Sequence, residues 1–349
     1  MNDSSGQRPD PVTEILLIQA GDLVPPVAIL DDVAGSLSRA VAARGYQPRV
    51  WCDDVRAEQQ VPVAWRRATP DEAVTGARTV LWRLPRAVSA VQEYAELIAA
   101  TSDPDVRVIS AERDKQLSRS MNTALARCFG SVSASLGHRK ARALLASDPI
   151  RRAPSWPQTA RVESLGLDVV AHGATFGSNR LDHGTALLAG CLDRLPDAAT
   201  AIDLGCGSGI LAALLARRGM RVHAVDVAWS GTDASRLTAE ANDLSVEVIR
   251  RDGLRGWDEP VEMVVTNPPF HVRAAKDTSP TRALFAQAGE ILTEGGELWC
   301  VYNAHLPYLP WLRGRVGPTR IMARDRAYLV TRSIRTERTR HGPRHPTQI

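Results

Sequence analysis

The residues best suited to chemistry form the tetrapeptide Asn267-Pro268-Pro269-Phe270, which follows an apolar stretch at 261–266 with the composition of a buried strand. The amide oxygen of Asn267 and the carbonyl oxygen of Pro268 can accept both hydrogen bonds of a substrate amino group. The two prolines stiffen the turn, and Phe270 offers a face on which a planar base can stack. The motif therefore predicts chemistry on an amine whose lone pair is delocalised into a ring.

A second motif, Gly205-Cys206-Gly207-Ser208-Gly209, joins an apolar stretch to a helical one. Glycines let a backbone turn sharply and approach a ligand that a Cβ would exclude. The loop differs from the dinucleotide fingerprint G-x-G-x-x-G/A, because Ile210 stands at the third position. Asp226 ends the next predicted strand, about twenty residues further on, where a carboxylate can accept hydrogen bonds from both ribose hydroxyls of an adenosyl group.

Both motifs resemble those of a known enzyme class. The glycine spacing, with Asp203 two residues before the first glycine, is similar to the first motif of class I S-adenosylmethionine-dependent methyltransferases. The tetrapeptide at the end of the fourth strand of this half resembles the active-site motif of the enzymes that methylate adenine N6, cytosine N4, guanine N2 or the glutamine amide. The resemblance implies S-adenosylmethionine as cofactor. It implies neither a metal nor a covalent intermediate, because a sulfonium is already a good leaving group. The cofactor-binding residues implied are Asp203, Gly205, Cys206, Gly207, Gly209, Asp226, Val227, Asp252, Gly253 and Asn267.

Further segments narrow the resemblance to the RsmC/RlmG-type ribosomal RNA guanine-N2 methyltransferases. They are 267–271, 295–298, 303–308 and the stretch from Ala174 to Thr185, and the likeness covers roughly 165–334. It implies that Phe176, Asp182 and Gly184 lie over the cofactor. His271 either lines the substrate pocket or only completes the turn. Where the family often has a small residue and an acid, this chain has Gly177-Ser178-Asn179, so contacts to the cofactor are expected to differ there.

The first half fits the N-terminal domain of this family, which has the same fold, lacks a cofactor site and helps to hold RNA. Ala20-Gly21-Asp22 follows the first predicted strand without a glycine loop, and Arg83-Leu84-Pro85 stands where the tetrapeptide would fall. Cations are clustered between 107 and 142, which suits phosphate binding, although solvated helix faces have the same composition. The candidate RNA contacts are Arg113, Lys115, Arg119, Arg139 and Lys140.

Strands alternate with helices in both halves, which predicts an α/β fold. We expect two tandem Rossmann-like class I methyltransferase domains, with the N-terminal one degenerate. In the first half the predicted strands are 14–19, 47–52, 79–84 and 106–110, and the helices 31–44, 87–100 and 115–128. In the second half the strands are 200–204, 221–225, 246–250, 261–266 and 297–301, and the helices 187–195, 210–218, 233–242 and 280–292. We predict that residues 1–12 are disordered and that an RNA-binding domain spans 13–150. A proline-rich boundary separates this domain from a catalytic domain at 159–334, and a basic flexible tail follows at 335–349.

Composition restricts the class of protein. A length of 349 residues suits two domains, and the net charge is +4. No apolar run is long enough to cross a bilayer and the first ten residues are polar, so we expect a soluble, cytoplasmic protein without a membrane partner. The five cysteines are scattered and never form a Cys-x-x-Cys pair, which argues against a disulfide framework and a zinc site. A monomer is the default expectation, because two like domains can pair internally.

Three hypotheses follow from these residues. The first is methylation of guanine N2 in ribosomal RNA (16S or 23S), with naked RNA or a ribosomal subunit as partner. The second is a glutamine N5-methyltransferase acting on a translation factor; such enzymes usually have a tyrosine at the Phe270 position and a helical first domain. The third is a catalytically idle RNA-binding assembly protein, against which the intact glycine loop and tetrapeptide argue. DNA adenine methylation shares the chemistry, but no segment resembles a sequence-reading domain.

Overall fold

The structure is a computed structural model that describes residues 10–268 and 279–336. The chain forms two compact units. The first unit runs to Pro157 and includes His172–Ala174, and the second comprises Gln158–Ala171 and the chain from Thr175 onward. The division after Pro157 falls within the proline-rich stretch of the sequence.

The first unit contains a six-stranded sheet in the order β2-β1-β3-β4-β6-β5. Strands β1 to β4 are parallel, whereas β6 is antiparallel to both of its neighbours. The strands are β1 (Val27–Leu30), β2 (Pro48–Trp51), β3 (Thr79–Arg83), β4 (Arg107–Arg113), β5 (Phe129–Ala134) and β6 (Ala141–Pro149). The helices are α1 (Pro11–Ala20), α2 (Ser36–Ala43), α3 (Val55–Glu58), α4 (Pro70–Val74), α5 (Val88–Thr101) and α6 (Arg119–Ala126).

The second unit begins with a hairpin of β7 (Gln158–Val162) and β8 (Leu167–Ala171). Its main sheet has seven strands in the order β11-β10-β9-β12-β13-β15-β14. These strands are β9 (Thr200–Leu204), β10 (Arg221–Asp226), β11 (Glu247–Arg250), β12 (Val261–Thr266), β13 (Leu292–Asn303), β14 (Thr319–Arg324) and β15 (Tyr328–Ile334). The helices are α7 (His183–Ala189), α8 (Ile210–Arg217), α9 (Trp229–Ala241), α10 (Ser279–Ile291) and α11 (Leu309–Arg315).

The two sheets share one topology. The order β2-β1-β3-β4-β6-β5 of the first unit repeats in the second as β10-β9-β12-β13-β15-β14, to which β11 is added at one edge. In the second unit the central strands are buried on both faces, with Val265 and Trp299 in one apolar cluster and Val264 and Leu298 in the other. The predicted pair of tandem α/β domains is therefore confirmed.

The predicted strand at 14–19 is wrong, because these residues belong to α1. A short apolar run does not distinguish a strand from a buried helix, and here Val12, Ile15, Leu16 and Ala20 are buried with helical spacing. Pro11 and Val12 already belong to this helix, so the segment predicted to be disordered, 1–12, extends too far along the chain. The first strand is β1, and Asp31 follows it rather than a glycine loop.

Several other bounds differ from expectation. Helix α6 begins at Arg119 rather than at 115, and α7 covers 183–189 rather than 187–195, because Asp182 caps it. Strands β1, β5, β6, β7, β8, β14 and β15 and helices α3, α4 and α11 were not predicted. The flexible tail does not begin at Arg335, which is buried and donates from its backbone N–H to the Gly296 carbonyl at 2.8 Å. No helix among the described residues is long and apolar enough to span a bilayer.

Candidate active site

A cleft lies at the carboxyl ends of β9 and β12 in the second unit. Parallel strands bring their carboxyl ends to one edge of a sheet, so the glycine loop after β9 and Asn267 after β12 meet there. Residues predicted from the sequence that line the cleft are Phe176, Asp182, Gly205, Cys206, Gly207 and Asn267. The two motifs are therefore brought to one site, as the chemistry requires.

The glycine loop presents backbone to this cleft. Gly205, Gly207 and Gly209 have φ values of 77°, 52° and 76°, a left-handed conformation that favours glycine. At Gly209 a Cβ would lie 2.6 Å from Ser235 Oγ and 2.8 Å from its Cα. The N–H groups of Gly205 and Cys206 both donate to the Val225 carbonyl, at 2.7 and 3.1 Å, which holds the loop against β10.

Asp226 lies beside this loop at the end of β10. Its Oδ2 accepts a hydrogen bond from the Gly207 N–H at 3.0 Å, and its Oδ1 accepts one from the Ala228 N–H at 2.9 Å. The first turn of α9 comes so close that a Cβ on Gly231 would lie 2.9 Å from Asp226 Cγ. The carboxylate is thus positioned next to the loop, as expected for a group that binds the cofactor ribose, and Val227 follows it half-buried.

Asp203 has a different position from the one its motif suggests. It is buried and lies outside the cleft lining, and its Oδ2 accepts from the Ala212 N–H at 2.9 Å, which holds the start of α8. Its Oδ1 is buried without a hydrogen-bond partner among the described residues. Burial, reinforced by the charge of Asp226, raises the pKa of Asp203 to about 7 against the effect of the Ala212 hydrogen bond.

Asp252 and Gly253 follow β11 and lie outside the cleft lining. Asp252 is exposed. Gly253 has a φ of 66°, and a Cβ there would collide with Gln287 Oε1, which accepts from the Leu254 N–H at 2.7 Å. The close packing of this turn against α10 thus explains why residue 253 is a glycine. A contact of Asp252 with the cofactor stays a prediction.

The orientation of the Asn267 amide is fixed by two hydrogen bonds. Its Nδ2 donates to Asp182 Oδ2 at 3.1 Å and to Thr185 Oγ1 at 2.9 Å. Asp182 also caps α7, accepting from the N–H groups of Gly184 at 2.9 Å and Thr185 at 3.2 Å. Asn267 Oδ1 is buried and has no hydrogen-bond partner among the described residues. The amide oxygen is therefore a buried acceptor for which the described residues offer no donor.

Sequence reasoning missed Thr185 and assigned Asp182 to the cofactor alone. A capping aspartate can be recognised before a helical run, but its bond to a residue 85 positions away cannot. Gly184 also has a packing role, since a Cβ there would lie 3.3 Å from Tyr328 Cε1 and 3.5 Å from Asn267 Nδ2. Pro268 is buried at the end of the described segment. Pro269, Phe270 and His271 lie outside the described residues.

Phe176 is 61% exposed, although it belongs to the cleft lining. Its carbonyl oxygen approaches the glycine loop, at 3.8 Å from the position of a Cβ on Gly207. A large apolar ring in this position can cover a ligand seated on the loop. Its predicted role over the cofactor is consistent with this placement and stays a prediction.

The corresponding position of the first unit carries a cation. Leu30 ends β1 and pairs with Trp82 of β3, and Leu204 ends β9 and accepts a hydrogen bond from Thr266 of β12. Trp82 and Thr266 therefore occupy equivalent positions in the two sheets. The residues that follow them, Arg83 and Asn267, are equivalent as well. The Arg83 guanidinium lies 2.8 Å from Asp10 Oδ2 and 3.4 Å from Glu112 Oε2. A guanidinium has no acceptor for an amine, which fits the prediction of a degenerate first domain.

The five candidate RNA contacts of the first unit fall into two groups. Arg113 pairs with Asp10 at 3.2 Å, and Arg139 pairs with Glu14 at 2.6 Å. Lys115, Arg119 and Lys140 are exposed and form no ion pair with any described residue. As for metals, the described part of the chain contains no group of three His, Cys, Asp or Glu that could hold an ion.

Comparison with known proteins agrees with this geometry. The family model "Methyltransferase small domain" matches residues 166–332, and the "RLMG N-terminal domain" model matches residues 14–150. Ribosomal RNA large subunit methyltransferase G of Streptomyces avermitilis is 29% identical over 88% of this chain and 87% of its own length. Ribosomal RNA small subunit methyltransferase C of Pseudomonas aeruginosa is 39% identical over 47% of this chain and 50% of its own length. The chain thus spans about half the length of the small-subunit relatives that it matches.

A solved structure shares the fold over nearly the whole chain. It is the Thermus thermophilus 16S rRNA N2 G1207 methyltransferase (RsmC) in complex with AdoMet and guanosine, with a TM-score of 0.78 and 22% identity over 93% of this chain and 92% of that one. The two family models together account for both units, in the order that the motifs predicted. The chain therefore belongs to the RsmC/RlmG family of two-domain, S-adenosylmethionine-dependent methyltransferases.

Proposed function

We propose that the second unit transfers the methyl group of S-adenosylmethionine to the exocyclic N2 amino group of a guanine in ribosomal RNA. The observation that carries this proposal is the buried Oδ1 of Asn267, which has no hydrogen-bond partner among the described residues and lies in the same cleft as the glycine loop. Relatives named as ribosomal RNA methyltransferases support the choice of substrate. A ribosomal substrate implies a cytoplasmic enzyme, and a monomer contains every residue that the reaction needs.

Asn267 activates the amine by accepting its hydrogen bonds. The N2 lone pair is delocalised into the guanine ring, so the free amine is a poor nucleophile. Asn267 Oδ1 and the Pro268 carbonyl accept the two N–H bonds, which orients the lone pair and stabilises the positive charge that develops on nitrogen. Asp182 and Thr185 hold Nδ2 of the same amide, so the acceptor is in place before the substrate arrives.

The residues present fit the cofactor. The backbone of Gly205 and Gly207 offers a surface without side chains, and the Asp226 carboxylate lies beside it to accept the ribose hydroxyls. When bound there, the cofactor supplies an electrophilic methyl group on a sulfonium. Phe176 covers the loop and helps to keep water from the reacting atoms.

The substrate base must leave its stack to reach Asn267, so the target lies in a single-stranded or flipped-out position of folded RNA. The first unit contributes phosphate contacts through its exposed cations Lys115, Arg119 and Lys140. A buried amide acceptor can serve a glutamine substrate as well. The family assignment and the cations favour RNA.

The deciding experiment maps modifications of ribosomal RNA by mass spectrometry, with and without the protein and with S-adenosylmethionine as methyl donor. We expect one guanine to gain a single methyl at N2. Naked RNA and isolated subunits are tested separately, because either can be the substrate. Methylation of a release factor, with ribosomal RNA unmodified, would instead establish the glutamine N5 activity.

A further inference from the structure

Five arginines follow one another within residues 313–326, on the edge strand β14 of the second unit and on the segments that flank it. They are Arg313 and Arg315 of α11, Arg320 and Arg324 of β14, and Arg326 of the turn that follows. All five are exposed, and their side chains make no ion pair or hydrogen bond with a described residue. We call this group the arginine edge. So many exposed guanidinium groups in one region form a strongly positive surface.

The acid within this segment is already engaged. Asp325 Oδ2 lies 2.8 Å from His183 Nε2, and Asp325 Oδ1 accepts from the N–H groups of Ala327 and Tyr328, both at 2.7 Å. Its carboxylate thus organises the turn and does not neutralise the neighbouring Arg324 and Arg326. The positive charge of this turn remains available to a ligand.

The polarity of the strands places part of this surface beside the cleft. Strand β14 is antiparallel to β15, which is antiparallel to β13, so β14 runs parallel to β13, β12 and β9. The carboxyl end of β14, with Arg324 and Arg326, therefore lies at the same edge of the sheet as Asn267. Three strand spacings separate β12 from β14, which is about 14 Å at ~4.8 Å each.

Contacts through the start of α7 connect the turn to Asn267. His183, which binds Asp325, follows Asp182, and Asp182 binds Asn267. The rings of His183 and Tyr328 also meet edge to face with centroids 5.4 Å apart. The turn and the catalytic amide are therefore held by one helix terminus, that of α7.

Cations on an edge strand can simply prevent pairing with other strands. That role explains Arg320 and Arg324 on β14, but it does not require Arg326 in the turn or two more arginines on α11. Arginine binds phosphate through a planar fork of donors, so the exposed guanidinium groups of this segment suit a phosphate ligand.

We propose that the arginine edge binds phosphates of the RNA strand that flanks the target nucleotide, with Arg324 and Arg326 nearest to the cleft. This inference rests on the proposed function, since it assumes an RNA substrate. It adds a binding surface on the catalytic unit to the cations of the first unit. The flanking strand is then held by the same unit that holds the reacting base.

The test compares Arg324→Gln/Arg326→Gln with the wild type on unmethylated ribosomal RNA, measuring kcat and KM for RNA at several salt concentrations. For the double variant we expect KM to rise about tenfold at low salt and kcat to stay within about twofold. The slope of log KM against log salt should fall by about 1.4 to 1.8, which corresponds to two lost phosphate contacts. Calorimetry should give an unchanged affinity for S-adenosylmethionine, and Arg324→Lys/Arg326→Lys should retain most of the salt dependence.

The matched control is Arg161→Gln/Arg221→Gln, which removes the same charge from exposed arginines paired with Asp168 and Glu259. Arg221 begins β10, at the amino edge of the sheet and five strands away from β14. This control should change KM for RNA by less than about twofold. If the Arg324/Arg326 variant does not fold, Arg326→Glu alone, in the exposed turn, provides the same comparison.

The outcomes separate this inference from the proposed function. A wild-type protein that leaves ribosomal RNA unmethylated would refute the proposed function. An active wild type whose KM and salt slope are the same in the Arg324/Arg326 variant would refute the arginine edge alone. Competition by polyglutamate as strong as by RNA would also overturn it, because the surface would then suit an acidic protein segment.

Discussion

Asn267 Nδ2 lies 3.1 Å from Asp182 Oδ2, so the amide that follows β12 is oriented by the residue that caps α7. The bond joins two segments that are 85 residues apart in the sequence. Thr185 of the same helix provides the second acceptor at 2.9 Å. The start of α7 thus determines that Oδ1, and not Nδ2, is the atom of the Asn267 amide without a partner among the described residues.

Asn267→Ala should reduce methyl transfer severely while leaving cofactor binding intact. Loss of a pre-oriented acceptor costs about 10²- to 10³-fold in kcat. Calorimetry with S-adenosylmethionine should give a Kd within about threefold of the wild-type value, because the cofactor is assigned to the glycine loop and Asp226. A variant with full activity would remove Asn267 from the mechanism.

Thr185→Val should lower kcat about tenfold with little change in KM for RNA, because it removes one of the two acceptors that fix the amide. The backbone N–H of Thr185 still donates to Asp182, so the cap of α7 is retained. Thr185→Ser restores the hydroxyl and should restore kcat. If valine and serine variants are equally impaired, Thr185 acts through packing and not through orientation.

Gly231→Ala should weaken S-adenosylmethionine binding by about tenfold, because the new Cβ would lie 2.9 Å from Asp226 Cγ and displace this carboxylate. Elsewhere in a helix this substitution stabilises by ~1 kcal/mol. Gly314→Ala in α11 is the matched control, since a Cβ there meets nothing within 4 Å. It should leave cofactor affinity unchanged. Equal affinities in both variants would contradict the role of Asp226.

Asp203→Asn should stabilise the protein at neutral and higher pH. Burial raises the pKa of Asp203 from 3.8 to about 7, so the group favours the folded state below pH 4 and this contribution is lost as the pH rises to about 7. The variant avoids the buried charge while keeping an acceptor for the Ala212 N–H. At pH 8 its free energy of unfolding should exceed that of the wild type by on the order of 2 to 4 kcal/mol.

Denaturant unfolding of both proteins between pH 4 and pH 8 measures this difference, which should shrink toward the acidic end. Parallel pH profiles, or a variant less stable than the wild type at pH 8, would show that the Asp203 carboxylate is needed in its charged form. Calorimetry on the same samples tests whether Asp203 contributes to cofactor binding at all, as its motif implies.

The sequence indicated those parts of the site that depend on neighbours along the chain. A glycine loop needs left-handed backbone at fixed spacing, and Asn267 needs two prolines after it, so both motifs were recognisable. The bond from Asn267 to Asp182 and Thr185 depends on tertiary packing, which no local pattern encodes. The arginines of the arginine edge are close together in the sequence, but neither α11 nor β14 was predicted, so nothing related these cations to the end of the sheet that carries Asn267.

A similar limit applied to the first unit. The apolar run in α1 satisfies a strand and a helix equally well, and only Pro11 at the helix start distinguishes them. Because of this error the first strand was predicted at the wrong place. The conclusion that no glycine loop follows the first strand still holds, since Asp31 follows β1.

Lys140→Gly should increase the stability of the protein and at the same time weaken RNA binding. Arg139 and Lys140 form the two central positions of the tight turn between β5 and β6, with φ values of 48° and 61°, and His138 and Ala141 exchange hydrogen bonds of 2.8 Å across it. A left-handed conformation costs a residue with a side chain roughly 1 kcal/mol, which glycine avoids. The lost cation should raise the Kd for ribosomal RNA about threefold and lower the salt slope by about 0.7 to 0.9.

Higher stability together with weaker RNA binding would identify Lys140 as a binding residue, because a substitution that acts only on the fold would change stability and RNA affinity in the same direction. The control Asp243→Gly replaces another left-handed residue, with a φ of 54°, and removes no cation, so it should leave RNA affinity unchanged. Arg139→Gly gives the same backbone relief but loses the 2.6 Å pair with Glu14, so it should increase stability less than Lys140→Gly does. Unchanged RNA affinity in Lys140→Gly would return this turn to the status of ordinary solvated surface.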